Sequence, residues 1–237
     1  MPYTSPMTYV LHYAPDNASL IVRLALEHQG LPYRATLVDR STNAQSSPDY
    51  RRLNPNGLIP VLETPQGPIF ETGAILLWLA DTHGGLGPAP DHPDRGRFVT
   101  WLFFAANTLH PSLRMLFYPE KFIAADHVAA HRAGLTRHLH QSFATLDAFA
   151  ATHPPILGAA APTALDFYTV ALLRWPALYP AKAEHSWFDL RRYPALERLC
   201  AYVETLPCTF ALQKAEGLGM TPFSAPRYPT PPEGSAT

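Results

Sequence analysis

The chain has 237 residues, 47% of them apolar and only 16% charged, and its 18 basic and 19 acidic side chains leave a formal charge of −1. That balance suggests neither nucleic acid nor an anionic membrane as a partner. No apolar run approaches the roughly 20 residues of a membrane span. The length suits two modest domains or one large one. The opening residues, MPYTSPMTYV, have neither the basic start nor the apolar core of a secretory signal. Two cysteines, Cys200 and Cys208, make no disulfide framework, so a cytoplasmic location is expected. Both thiols read as small buried apolar groups.

In chain order, Thr8 to Tyr13 is a short β-rich run. Ala14-Pro15-Asp16-Asn17 is a turn, and Asn17 or Ser19 suits the cap of the next element. Leu20, Ile21, Leu24 and Leu26 have helical spacing that stops at Gly30 and Pro32. Tyr33 to Val38 is a second strand, and a helix between two strands demands parallel pairing with a right-handed crossover. Asp39 to Ser47 is polar and loop-like, and Pro48 to Leu53 reads as one irregular helix.

The stretch from Asn54 to Asp81 is the densest in signals. A Pro-Asn-Gly turn leads to Ile59-Pro60 and the run Val61-Leu62, then Pro65-Gln66-Gly67 turns the chain back into Ile69-Phe70. Two short runs joined by a glycine turn predict a hairpin. Apolar Ile75, Leu76, Leu79 and Ala80 then predict a helix opening at Glu71-Thr72-Gly73. Proline at a strand start needs a reason, because it cannot donate to the sheet. A cis Ile59–Pro60 bond would turn the Ile59 backbone outward toward an extended ligand. The helix start offers free N–H groups and a positive dipole end to a carboxylate, and Glu71 offers an acceptor for an ammonium group. The plain alternative is a hairpin followed by a helix capped by Thr72.

This string resembles the glutathione-binding half of the soluble glutathione S-transferases. That family carries N-P-x-G-x-(I/V)-P, a second strand, then (E/D)-(S/T)-x-A-I. Here Asn54-Pro55-Asn56-Gly57-Leu58-Ile59-Pro60 and Glu71-Thr72-Gly73-Ala74-Ile75 match it. The resemblance implies a thioredoxin-like N-terminal domain followed by an all-helical C-terminal domain. It also implies a cis Pro60, Ile59 backbone bonds to the cysteinyl part of glutathione, and Glu71 and Thr72 on its γ-glutamyl end. Glutathione would be the cosubstrate, a small apolar electrophile the second substrate, and the assembly a homodimer without metal.

His83 to Asp94 holds three glycines and three prolines and reads as a linker. Beyond it, Arg97 to Phe117, Asp126 to Thr152, a segment opening at Thr163, Tyr193 to Leu206 and Pro207 to Glu216 all have helical patterns, and no strand signal occurs. Ala160-Ala161-Pro162 ends a loop, and Thr163 with Asp166 three residues on approximates a capping box. Thr221 to Thr237 holds five prolines without apolar periodicity and reads as a surface or disordered tail. The expected boundaries are 8–83 for the glutathione-binding domain, 84–94 for the linker, 95–216 for the helical domain and 217–237 for the tail.

A thiolate donor should come from the first strand end or first helix start. The segment Leu11 to Glu27 resembles the bacterial beta class, whose pattern is Y-(S/A)-P-x-x-C-S-L, but Ala18 stands where that class carries cysteine. A methyl group can neither donate nor form a mixed disulfide. Ser19, Asn17 and Tyr13 remain as candidates, each with a plain reading as cap or core aromatic, and backbone N–H groups of the first helix are a fourth. Trp101-Leu102 and Leu109-His110 resemble the beta-class substrate-pocket helix, with Thr108 where that class carries glutamate. The resemblance implies His110 toward glutathione or the electrophile with Asn107 nearby, and Arg114 and Tyr118, one and two turns on, read with Phe104 around the electrophile. The plain reading of His110 is a hydrogen-bonded packing residue. His127 and His131, four apart, lack a third metal ligand at suitable spacing, since His138 and His140 point differently. Two other outcomes stay open: a glutathione-dependent peroxidase or thiol transferase, and a non-catalytic glutathione-binding module.

Overall fold

The computed structural model describes residues 9–158 and 161–236. Thr8 and Ala160, expected in the first strand and in a loop, lie outside the described residues, as do the first seven residues and Thr237. The chain divides into two compact units. One comprises Met1–Leu86, Thr205–Met220 and Arg227–Thr237; the other comprises Gly87–Glu204 and Thr221–Pro226. The break between Leu86 and Gly87 falls inside the glycine- and proline-rich stretch.

The first unit runs β1 (Tyr9–Tyr13), α1 (Ser19–Gln29), β2 (Tyr33–Leu37), α2 (Pro48–Leu53), β3 (Val61–Thr64), β4 (Gly67–Phe70) and α3 (Thr72–His83). This is the β-α-β-α-β-β-α order expected from the sequence. The strands form one sheet in the order β2-β1-β3-β4, with β1 parallel to β2 and both other pairings antiparallel. Alternation along β1 sends Tyr9, Leu11 and Tyr13 to one face, where Tyr9 meets Trp78 and His83 of α3 edge-on. His12 points the other way, onto Tyr50 of α2. Under α2, Val38, Tyr50 and Val61 form a small core flanked by Leu53, Ile59 and Phe70.

Local signals account for the element ends. Gly30 takes the left-handed conformation at φ 63° and returns its N–H to Glu27 and Leu26, closing α1 where the sequence places its stop. Ser47 caps α2 by accepting from the Tyr50 N–H, and Pro48 occupies the first turn, where its missing N–H costs nothing.

The second unit is helical: α4 (Arg95–Phe104), α5 (His110–Phe117), α6 (Val128–Thr152), α7 (Ala164–Arg174) and α8 (Pro194–Glu204). The single helix expected over 97–117 is interrupted by a π-helical turn, Ala105–Leu109, in which the His110 N–H reaches back to the Ala105 carbonyl. Pro111 comes directly after it; without an N–H and with a ring that crowds the preceding turn, it favours a widened turn over a regular one. The capping box at Thr163 and Asp166 forms in both directions, and every residue of α7 is buried.

The last helix, α9 (Pro207–Glu216), belongs to the first unit and packs on α1. The proline-rich end differs from the surface tail expected for it. Within the second unit Phe223 is fully buried, its N–H and that of Ser224 donate to Glu204, and the Pro222 carbonyl accepts from buried Arg174 at 2.8 Å. Within the first unit Glu233 accepts from Tyr13, and Arg40 donates to the Ala236 carbonyl. No helix among the described residues is long and apolar enough to cross a membrane.

Candidate functional site

The turn before β3 is built around Asn54, a buried polar side chain that spends both ends of its amide. Its Nδ2 donates to the Leu58 carbonyl at 2.8 Å and its Oδ1 accepts from the Asn56 N–H at 3.0 Å. The Tyr50 hydroxyl donates to the same Leu58 carbonyl at 2.9 Å. Gly57 sits at φ 62°, and a Cβ there would lie 2.8 Å from the Gln45 carbonyl oxygen, so only glycine fits. These contacts hold the chain up to Ile59, and the Ile59–Pro60 bond is cis, as expected. The Ile59 N–H and C=O have no partner among the described residues.

Beyond the hairpin, Glu71 occupies the N-cap position of α3 at φ 70°, ψ 115°. A non-glycine residue in that region is strained, and such strain is concentrated where function imposes it. The Glu71 side chain is exposed, makes no capping bond and has no partner among the described residues. Thr72, read from the sequence as the cap, is instead the first helical residue and is buried. The first amide of α3 to find a helical acceptor is Ile75, on Glu71, so the Thr72, Gly73 and Ala74 N–H groups stay unspent. A partnerless carboxylate beside three free amides at a positive dipole end can take both charges of an amino-acid head group.

Hydrogen bonding separates the three thiolate-donor candidates. Ser19 is fully buried, and its Oγ donates to the Ala14 carbonyl at 3.0 Å while accepting from the Ala14 N–H. Tyr13 is buried, its hydroxyl donates to Glu233, and burial followed by that carboxylate pushes its pKa well up. Both are committed inside the protein. Asn17 is only half-buried; its Oδ1 accepts from the Ala18 N–H at 2.8 Å, and its Nδ2 has no acceptor among the described residues. Of the three, Asn17 alone retains an unspent N–H donor. Neither Asn17 nor Ser19 caps α1, whose N-cap position falls on Ala18.

In the second unit, His110 and Asn107 lie at and within the π-helical turn. Asn107 is exposed, whereas His110 Nδ1 bonds the Tyr168 hydroxyl at 2.8 Å and its ring rests against Trp175, with centroids 5.4 Å apart. Burial, then the nearby Arg114 charge, pushes the His110 pKa down to about 4, so the imidazole is neutral at pH 7. Phe104 is half-buried, edge-on to Trp101; Arg114 lies over the Phe122 ring and Tyr118 under Lys121 Nζ. Among the described residues no group of three or more His, Cys, Asp or Glu side chains is placed to hold a metal.

The sequence reading missed a buried charge pair in the first unit, Arg23 with Glu216, and the exposed Glu233 that accepts from the Tyr13 hydroxyl. One signal was present, since an arginine inside the apolar run LIVRLAL requires a buried partner.

A four-stranded mixed sheet with this strand order and a cis proline ahead of β3, joined in sequence to an all-helical unit, defines a thioredoxin-like half with a helical half. The family model described as glutathione S-transferase, N-terminal domain, matches residues 18–82. The chain is 31% identical over 212 residues to glutathione S-transferase GST-4.5 of Xanthomonas campestris pv. campestris, covering 88% of this chain and 98% of that one. It is 30% identical over 207 residues to a maleylacetoacetate isomerase of Rhizobium meliloti, covering 83% and 92%. A sphingomonad glutathione S-transferase solved in complex with glutathione superposes with a TM-score of 0.72 at 29% identity, over 89% of this chain and all of that one. The chain belongs to the glutathione S-transferase family.

Proposed function

We propose that the protein is a glutathione transferase that binds the tripeptide on its first unit and adds the thiolate to a small apolar electrophile. The observation that carries this reading is the start of α3, with a strained, exposed, partnerless Glu71 beside three unspent amides. Glu71 takes the ammonium group of the γ-glutamyl end, while the Thr72 hydroxyl and the first-turn amides take its carboxylate. The Ile59 backbone pairs with the cysteinyl part. Asn17 Nδ2 donates to the sulfur and stabilises the thiolate against a free-thiol pKa of about 8.5. The thiol proton leaves to solvent, the sulfur–carbon bond forms as the leaving group departs with its electron pair, and proximity supplies the remaining acceleration. His110, Asn107, Phe104, Arg114 and Tyr118 are the residues of the second unit assigned to the substrates. A homodimer and a cytoplasmic location accompany this reading.

A protein-based thiol exchange has little to work with. Ala18 offers no sulfur, and burial raises the pKa of Cys208 to about 11 and that of Cys200 well up. A second reading, isomerisation of an activated alkene, is favoured by the Rhizobium relative. The thiolate adds to an alkene carbon, the resulting single bond rotates, and the thiolate leaves again. The test is retention on immobilised glutathione followed by turnover of an aromatic halide and of an activated cis-alkene. Conjugation consumes glutathione and isomerisation does not. Glu71→Ala is expected to abolish retention, and retention at the wild-type level overturns the assignment.

A further inference from the structure

Every residue from Ser19 to Leu26 of α1 is buried, Arg23 included. A charge in such a place is costly unless paired and hydrogen-bonded. Its partner is Glu216, the last residue of α9, which has no exposed surface. The Glu216 carboxylate divides its oxygens: Oε1 accepts from Arg23 Nε at 3.0 Å, and Oε2 accepts from the Asp16 backbone N–H at 2.9 Å. Asp16 sits at φ 48°, in the left-handed region, so its turn needs holding. An apolar pair would dock α9 on α1 with less loss of hydration. What an apolar pair cannot do is grip a backbone N–H one residue before Asn17. Around the pair, Arg23 Nη1 donates to the Tyr33 hydroxyl, Tyr33 donates to Glu27 and the guanidinium lies over the Tyr13 ring, whereas the buried Asp16 carboxylate repels that of Glu216.

We propose that Glu216, braced by Arg23, is a positioning residue for the thiolate donor: it fixes the Asp16 turn so that the Asn17 amide aims at the sulfur of the bound thiol. The inference rests on Asn17 being the donor to that sulfur. Glu216 touches neither substrate, so its effect is transmitted through the backbone.

The experiment follows the thiolate absorbance of bound glutathione against pH in the full-length protein, alongside thermal unfolding. Asn17→Ala and Glu216→Gln are each expected to raise the apparent thiol pKa toward the free value of about 8.5. Glutamine puts an NH2 where one of the two carboxylate oxygens stands, so either the Asp16 N–H or Arg23 Nε faces a donor in place of its acceptor. Leu212→Val, which trims the buried face of α9 without touching the turn, is expected to lower Tm and leave the thiol pKa in place. The double variant Arg23→Met/Glu216→Gln frees the glutamine oxygen for Asp16 and is expected to bring the pKa back toward wild type. Arg23→Met/Glu216→Met, with no oxygen left, is not. That pair of doubles carries the comparison if Glu216→Gln fails to fold.

A Glu216→Gln protein with lowered Tm but an unmoved pKa overturns the inference, and so does an equal pKa shift in Leu212→Val. If Asn17→Ala moves the pKa and the Glu216 variants do not, only the positioning role falls. A silent Asn17→Ala removes the reading of Asn17 and this inference with it, and a wild type that binds no glutathione removes both.

Discussion

Asn54 Nδ2 donates to the Leu58 carbonyl oxygen at 2.8 Å, closing a turn whose other end the same side chain holds through the Asn56 N–H. One buried residue thus sets the approach to Ile59. Asn54→Ala strands the Asn56 donor and leaves Leu58 to the Tyr50 hydroxyl alone. The expected loss is about 1–3 kcal/mol of stability, with a raised KM for glutathione and a smaller change in kcat. Thermal unfolding and steady-state kinetics check both halves of the prediction. An unchanged KM would detach the turn from ligand binding.

Tyr13→Phe tests whether the first-strand tyrosine has any part in the chemistry. Its hydroxyl is spent on Glu233, so the expected result is about 1 kcal/mol of lost stability with the bound-thiol pKa and turnover near wild type. A tenfold fall in turnover would put the Tyr13 oxygen at the sulfur.

His110 gives the second unit an acid-sensitive contribution. Its folded pKa, pushed down to about 4, lies below the ordinary value of 6.5. The unfolded chain therefore binds more protons between those limits, and stability is lost as pH falls from about 6.5 through 4. In His110→Asn, whose amide can still reach Tyr168, the melting temperature is expected to fall less steeply across that window. Parallel slopes in the two proteins would mean that another group controls the acid limb.

Asp166 accepts from the Gly158 N–H at 2.6 Å, the Thr163 N–H at 2.6 Å and the Thr163 hydroxyl at 2.9 Å while fully buried. Burial raises its pKa to about 6 against those donors. Asp166→Ala takes the acceptor from the Thr163 and Gly158 N–H groups, while the Thr163 hydroxyl keeps the Ile156 carbonyl, and it removes half of the capping box. A loss of about 3 kcal/mol or more is expected, read as a lowered midpoint in denaturant. Thr163→Ala should cost less, because the carboxylate keeps both backbone donors. Equal costs would show that the hydroxyl, not the carboxylate, organises the loop.

Much of the fold was legible because its punctuation is local. Gly30, the Pro-Asn-Gly turn and the Thr163–Asp166 box each mark an element boundary within a few residues, and the structure places those boundaries where the sequence does. The π-helical turn was not legible: Pro111 announces a disturbance in the helix but not whether it bends or widens. The packing of Phe223 and Glu233 was hidden for another reason. Proline-rich segments have no periodicity, so their burial depends on acceptors and cavities supplied from afar. Arg23 and Glu216 lie 193 residues apart, a pairing that composition and spacing cannot express. For the thiolate donor the sequence narrowed the choice to three side chains within seven residues. Hydrogen bonds already formed by Tyr13 and Ser19 then leave Asn17 with an unspent donor.

The contacts of Glu233 with Tyr13 and of Arg40 with the Ala236 carbonyl have a practical side for anyone handling this enzyme. Proteolytic loss of residues 233–236 would unmake those contacts while leaving every helix in place. Preparations that look alike on a gel would then differ in thermal stability, and freshly made protein with this segment intact is the baseline against which the variants are judged.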